Sequence, residues 1–277
     1  MIPQRSDDGV ALINVLLVIA ISAALVQTML TSQETAIRDV RQATDRAQAY
    51  ALAKGGVASL RTALRRDLMT APESDHLREP WALVAQQETA FDFGSYSVSV
   101  TDAQGRFDIN SLTGNALTQR RVFDQLLGAL DLPRELGAEI VDVVARKGPL
   151  PSVDALMMYG ISDNSVAVLA PHVTTLLQPA TINLNTASEP VLEAVFANAI
   201  VARSLGARRA SQGFLIRADL SDLGVVQPAL AGWQSHNYDI SVTATVGDVT
   251  MTYDRRVLRD PKSGRVIDLP SEQSPKK

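Results

Sequence analysis

Residues 10–30, VALINVLLVIAISAALVQTML, hold no charged side chain. At about 1.5 Å per residue, a helix of that length spans roughly 30 Å, the hydrocarbon thickness of a bilayer. Asn14, Ser22, Gln27 and Thr28 are its polar positions, each tolerable singly in a membrane helix. A helix of a soluble core rarely runs so far without a charge. A secretory signal peptide has a shorter apolar run, closed by a small-residue cleavage site. Here no break follows. From Thr31 to Thr70 the chain lacks Pro, and apolar or small residues recur at Ile37, Val40, Ala43, Ala47, Tyr50, Ala53, Val57, Leu60 and Leu64, mostly three or four apart. The pattern predicts one continuous helix to about residue 71, with an apolar stripe on its outer half. The Gly55-Gly56 pair marks either a bend or close packing.

Past Pro72 and Pro80 the period changes. Ser95–Thr101 alternates with period two, and Asp102-Ala-Gln-Gly105 reads as a turn into an extended Arg106–Asn110, which together predict a hairpin. Helical patterns follow over Arg120–Leu130, Pro133–Ala145, Ser152–Gly160 and Ala187–Ala199, with extended pieces at His172–Leu177 and Ile182–Thr186; Ser162–Leu169 and Phe214–Leu220, the latter before a turn at Asp222-Leu-Gly224, are segments of unassigned type. Period two returns at Tyr238–Val246, turns at Gly247-Asp248 and runs back from Val249 to Leu258. A last turn, Asp260–Gly264, leads into Arg265–Ile267. Two isolated hairpins would each be marginal, so the economical arrangement is one antiparallel sheet interrupted by a helical insertion.

Composition narrows the chemistry. Among 277 residues there are 26 Lys+Arg against 30 Asp+Glu, a formal charge of −4, which gives nucleic acid no general electrostatic attraction. There is no Cys, which excludes disulfides and thiolate chemistry. His76, His172 and His236 lie far apart, unlike a histidine-rich metal site. No Gly-x-Ser-x-Gly, phosphate loop or His-Glu-x-x-His is present, so no catalytic residue is assigned. Asp102, Asp108 and Asn110 read as turn formers.

Four stretches in order carry a resemblance to a known family. They are Gly9-Val-Ala-Leu-Ile-Asn-Val-Leu-Leu17; Asp75-His-Leu-Arg-Glu-Pro-Trp-Ala82 with Asp102–Asn110; Ile182-Asn-Leu-Asn-Thr-Ala187 with Leu192; and Ser235-His-Asn-Tyr238 with Arg255 and Arg256. Together they resemble the type II secretion system protein K family of minor pseudopilins. The resemblance implies an α+β fold: a pilin-like long N-terminal helix packed on an antiparallel sheet, with a large inserted α-helical domain. Its expected divisions are a leader at 1–9, a transmembrane or filament helix at 10–31, a pilin-like α/β domain from 32–110 and 234–268, an α-domain at 111–233 and a disordered tail at 269–277.

It also implies cleavage by a prepilin peptidase after Gly9, leaving Val10 as the mature amino terminus. Further implications are insertion in the inner membrane with the globular part in the periplasm, and assembly with minor pseudopilins I and J at the tip of a pseudopilus filament. The positive-inside rule alone does not supply that orientation, because Arg38, Arg41 and Arg46 follow the apolar run while Arg5 precedes it. Pilins usually carry Glu five residues into the mature helix; here Asn14 holds that place. An uncharged residue there suits a first subunit that has no neighbour ahead to pair a carboxylate. Calcium binding in the family is associated with an acidic loop of the α-domain. Val144-Ala-Arg-Lys-Gly-Pro-Leu-Pro151 offers no carboxylate at the corresponding place, so no metal ligand is assigned and no cofactor is expected with certainty.

The rival readings are a helix-hairpin-helix DNA-binding module and a minor pilin of a type IV pilus. For the first, Ile182–Ala187 and a basic group at Arg203, Arg208 and Arg209 are the candidate phosphate contacts, but the Gly-x-Gly between helices is missing. For the second, the helical insertion is a feature ordinary pilins lack.

Overall fold

A computed structural model describes residues 7–71, 73–84, 88–114, 116–260 and 262–269. The first six leader residues and residues 270–277 of the expected tail lie outside the described residues. Helix α1 (Asp7–Thr70) is a single helix of 64 residues, in keeping with its apolar run, the apolar stripe that follows and the lack of Pro. After the short α2 (Pro80–Val84), strands β1 (Thr89–Phe91) and β2 (Gly94–Asp102) form a hairpin. The chain then makes a helical excursion and returns as β7 (Asn237–Val246), β8 (Val249–Arg259) and β9 (Val266–Asp268). These five strands form one antiparallel sheet of order β1-β2-β7-β8-β9.

The outer half of α1 covers one face of this sheet. Ala49, Ala53, Val57, Leu60 and Leu64 are buried against Val98, Ile240, Val242, Ala244 and Val257, residues that alternate along their strands. Helix and sheet approach closely at Gly56: a Cβ there would sit 2.9 Å from Val242 and 3.1 Å from the Tyr96 ring. Of the glycine pair, Gly56 therefore marks close packing while Gly55 faces open space, and the helix continues through both.

The excursion forms a second core, from Phe107 to Trp233. It holds α3 (Leu117–Ala129), α4 (Arg134–Lys147), α5 (Asp163–Leu169), α6 (Glu189–Phe196), α7 (Ala199–Gln212) and α8 (Arg217–Asp222). Two short parallel pairs close it: β3 (Phe107–Asp108) with β4 (Val173–Thr174), and β5 (Ile182–Asn183) with β6 (Ala231–Gly232). Each pair brackets the same plan: strand, Asn-containing turn, helical hairpin, short helical turn, strand. The likeness extends to side chains. Asn110 accepts from the Leu150 amide and donates to its carbonyl, at 2.8 and 3.0 Å, and Asn185 does the same to Leu215, at 2.6 and 3.2 Å. A buried amide side chain thus replaces the missing backbone partner of a leucine in each half.

One expected hairpin is corrected. Arg106–Asn110 does not fold back on β2; its extended residues pair in parallel with β4, while β2 pairs with β1 and β7. Asp102-Ala-Gln-Gly105 is a turn, but one that takes the chain out of the sheet: Asp102 Oδ1 accepts from the Gln104 amide, and Ala103–Gly105 form a 3₁₀ turn. A Cβ on Gly105 would come within 2.8 Å of the Thr186 carbonyl oxygen, so the two units meet backbone to backbone here. The Ser152–Gly160 segment is also a 3₁₀ turn (Val153–Tyr159), ended by Gly160 at φ 94°. Helix α7 escaped sequence analysis because it buries only Ala202 and Leu205 and shows little apolar period.

Candidate functional site

Two regions carry the polar and apolar features a function could use. The first is the inner half of α1. No residue of its apolar 18-residue window is buried, and Val10, Leu12, Ile13, Leu16 and Ile19 are each more than half exposed. A helix so apolar and so uncovered needs lipid or other helices around it. Gly9, Val10 and Asn14 all lie within α1, and Asn14 is exposed among the apolar side chains.

The second region is a buried polar junction where the end of α1, the loop after it and the last long strand meet. Arg259 on β8 is 2% exposed. Its guanidinium donates to Asp67 Oδ2 at 2.9 Å, to both Asp75 oxygens at 2.5 and 2.6 Å, and to the Ser235 carbonyl at 2.7 Å. Asp67 lies one turn from the end of α1, so this one residue ties helix, loop and sheet together. Glu79 completes a group of three buried carboxylates whose ligand atoms lie within 4.8 Å of one another. Its Oε2 accepts from the Trp81 indole at 2.6 Å and from the His76 amide at 3.1 Å. Trp81 packs edge-on against Tyr238, and the Arg259 guanidinium sits 5.3 Å from the Tyr238 ring centre.

The junction extends into the helical unit. Asp102 Oδ2 accepts from Asn183 at 2.9 Å, Thr186 at 2.6 Å and Ser235 at 2.5 Å. His76 stacks on Phe214 with ring centres 4.4 Å apart. The sequence assigns no metal ligand, yet folding brings Asp67, Asp75 and Glu79 together beside His76. These side chains already serve Arg259, Trp81 and backbone donors, with Asp67 Oδ1 and Glu79 Oε1 left without a donor. Asp75 and Glu79 stood in one of the stretches that carry the family resemblance, but nothing in the sequence joined them to Asp67 or Arg259.

Desolvation decides the electrostatics here. Burial pushes the Glu79 carboxyl up to about 7, against the pull of the Trp81 hydrogen bond. It pushes Asp67 up to about 6, with the Asp75 charge adding and Arg259 opposing. Asp102 and Asp108 shift the same way, burial again being the largest cause. For such acids the folded state binds the proton more tightly than the unfolded one. Their contribution to stability is complete below about 4 and is lost as pH rises through 6 to 7. The expected result is a urea midpoint higher at pH 5.5 than at pH 8. Glu79→Gln, which keeps an acceptor for Trp81 but cannot ionise, should remove a large part of that difference, on the order of 2 kcal/mol. Equal pH slopes in the variant and the parent would contradict the assignment.

The basic group considered for phosphate is engaged in the fold. Arg208 pairs with Asp219 at 2.8 Å and Asp222 at 2.9 Å, and Arg209 donates to the carbonyls of Leu184 at 2.9 Å and Ala187 at 2.7 Å. Arg203 lies 3.9 Å from Glu189. The Val144–Pro151 segment ends α4 at Gly148 and brings no carboxylate with it.

No family model matches the chain. A type II secretion system protein K from Pseudomonas aeruginosa is 30% identical over 230 residues, covering 70% of this chain and 69% of that protein. The chain belongs to the type II secretion system protein K family. A second protein K, from Klebsiella pneumoniae, is 30% identical over 109 residues, 39% of this chain and 33% of that one. Among solved structures, a chain of the GspK-GspI-GspJ complex from the enterotoxigenic Escherichia coli type 2 secretion system matches with a TM-score of 0.63 at 18% identity. The match covers 85% of this chain and 99% of that one. At that identity the match speaks to fold, and the fold agrees: a long N-terminal helix on an antiparallel sheet with a helical insertion. In this protein K family member, the bare half of α1 accounts for the membrane-anchored character expected from the sequence.

Proposed function

We propose that this chain is a minor pseudopilin at the tip of a type II secretion pseudopilus, assembling with minor pseudopilins I and J and taking part in export of folded proteins across the outer membrane. One observation carries the reading: α1 is half core and half bare. Its outer half is buried on its own sheet, while its inner half exposes an apolar surface long enough for a bilayer or a helical bundle. Helix packing is the one way such a surface serves both a membrane precursor and a filament. The complex in which the similar Escherichia coli chain was solved supports I and J as partners.

In this reading the precursor spans the inner membrane once, with the sheet and the α-domain (about 111–233) in the periplasm. A prepilin peptidase cuts between Gly9 and Val10, and the filament of major pseudopilins lies below. The role is assembly, not catalysis: the junction carboxylates are spent on Arg259 and buried donors. Nucleic acid has no place in it, since Arg203, Arg208 and Arg209 face acids and carbonyls. Mass spectrometry of the mature amino terminus should find a chain starting at Val10; an intact leader would contradict the processing assignment.

Asn14 marks the tip position. A carboxylate in hydrocarbon costs about 2.5–3.5 kcal/mol without a cationic partner, and the first subunit has no amino terminus ahead of it. Asn14→Glu should therefore lower tip incorporation at least about tenfold, measured as chain recovered with I and J from membranes. Unchanged recovery and unchanged secretion would refute this role for Asn14.

A further inference from the structure

Strand β8 is paired on both sides for only part of its length. Strand β7 covers one edge from Val249 to Leu258. On the other edge β9 pairs with Val257, Leu258 and Arg259, and the Leu269 amide adds one bond to the Arg256 carbonyl at 2.9 Å. Backbone groups alternate in direction along an antiparallel strand, so those of Asp254, Thr252 and Thr250 point the same way as Arg256, away from β7. Among the described residues no strand meets them there. The bare stretch from Val249 to Arg255 is about 20 Å long, at roughly 3.4 Å per residue. Its Val249-Thr-Met-Thr-Tyr253 run holds no charge and no Pro, the composition of an edge that takes on another strand.

The α1 side of this edge is cationic and aromatic. Odd-numbered residues of β8 face α1: Val257 is buried against it, and Tyr253 meets Tyr50 edge-on with ring centres 5.6 Å apart. The Arg255 guanidinium lies 4.0 Å from the Tyr253 ring centre and donates to the Asp254 carbonyl at 2.9 Å, which brings it round to the bare edge. The Lys54 ammonium, one turn along α1 from Tyr50, lies 5.5 Å from the Tyr50 ring centre. The covered part of the edge shows how such a flank is matched: Arg61 on α1 lies 3.6 Å from Asp268 on β9. Lys54 stands seven residues before Arg61, two turns back on the same side of the helix. The chemistry that fits the bare edge is therefore an extended segment with a carboxylate on its α1 side, opposite Tyr253.

We propose that the residues following Leu269 are that segment, with Ser271–Ser274 extending β9 antiparallel along β8 and closing its edge. The pairs already made fix the register. Asp268 faces Val257, and one step forward on β9 is one step back on β8. Pro270 then stands opposite Arg255, Ser271 opposite Asp254, Glu272 opposite Tyr253 and Gln273 opposite Thr252. Side chains alternate along a strand, so Glu272 falls on the same face as Asp268, toward Arg255 and Lys54. Both prolines obey this register. Pro270 falls where the strand nitrogen points away from β8 and no donor is needed. Pro275 falls opposite Thr250, where a donor is needed, and there the ladder stops. A slip of one residue would set Pro270 at a bonding position and turn Glu272 away from the cations. The closed edge keeps this uncharged, strand-forming stretch from adding a strand of a second copy.

The test is hydrogen exchange of the full chain in detergent, read at single amides. The Asp254 and Thr252 amides should exchange at least about tenfold more slowly than in a variant that stops after Leu269. Gln273→Pro sets a proline at a position facing β8 and should speed the Thr252 amide by a similar factor. Ser274→Pro, at the next position and facing away, should leave Thr252 as in the parent. Equal exchange of both amides in the parent and the shortened variant overturns the proposal: fast in both means a bare edge, and slow in both means that another segment or a second copy covers it. Equal effects of Gln273→Pro and Ser274→Pro overturn the register and the proposal with it.

Discussion

Arg259→Met is expected to destabilise the protein by about 3–5 kcal/mol, the usual result of removing one partner from a buried ion pair. Methionine fills the space of the stem but leaves Asp67 and Asp75 without their cation beside Glu79, all three buried. The three acids must then take up protons or open to water. The loss should accordingly be larger at pH 8 than at pH 5, where protonation relieves the repulsion. Arg259→Lys should recover only part of it, since an ammonium cannot serve Asp67, both oxygens of Asp75 and the Ser235 carbonyl from one planar fork. Urea midpoints at the two pH values provide the comparison. A midpoint shift below 1 kcal/mol would mean that Arg259 does not hold the junction.

Asp102→Ala is the second large effect, again about 3–5 kcal/mol. The aspartate accepts from the Gln104 amide on one oxygen and from Asn183, Thr186 and Ser235 on the other. Each buried donor left unpaired costs roughly 1–3 kcal/mol, reduced where a second acceptor stands ready. Asn183 has one in the Asp75 carbonyl, at 3.0 Å. Asp102→Asn should cost less, because its carbonyl can still receive the three side-chain donors and only the Gln104 amide faces a misplaced NH₂. Since these donors come from both cores, the alanine variant should also loosen one unit from the other. Faster proteolysis near residues 102–107 would report that loosening. Equal midpoints for Ala and Asn would show that the carboxylate's acceptor count does not matter.

These two residues also show where sequence analysis stops. α1 was legible because a charge-free apolar run of bilayer length, an apolar stripe three or four residues apart after it and the lack of Pro specify a helix without reference to anything distant. The β7–β8 hairpin was legible for a similar reason: strict alternation on both sides of Gly247-Asp248 leaves one register, and the structure pairs Val246 with Val249. Asp102–Gly105 carried an equally good local turn signal, yet the direction the chain takes afterwards depends on Thr186 and Asn183, some 80 positions away. A turn motif says that the chain bends and is silent about what it meets.

The junction was illegible for the same reason: Arg259 stands 184 positions from Asp75 and 192 from Asp67, and no local period links them. Asn110 looked like a turn former and Asn185 like part of an extended piece; each holds a leucine backbone 30 or 40 positions away, which no local pattern connects with it.

The central claim is that this member of the protein K family sits at the filament tip, and its place on the filament tests that most directly. Pseudopili sheared from cells producing an epitope-tagged full chain would be labelled with gold and imaged. The account predicts gold at one end of each filament and none between. Gold spaced along the filament length would contradict it.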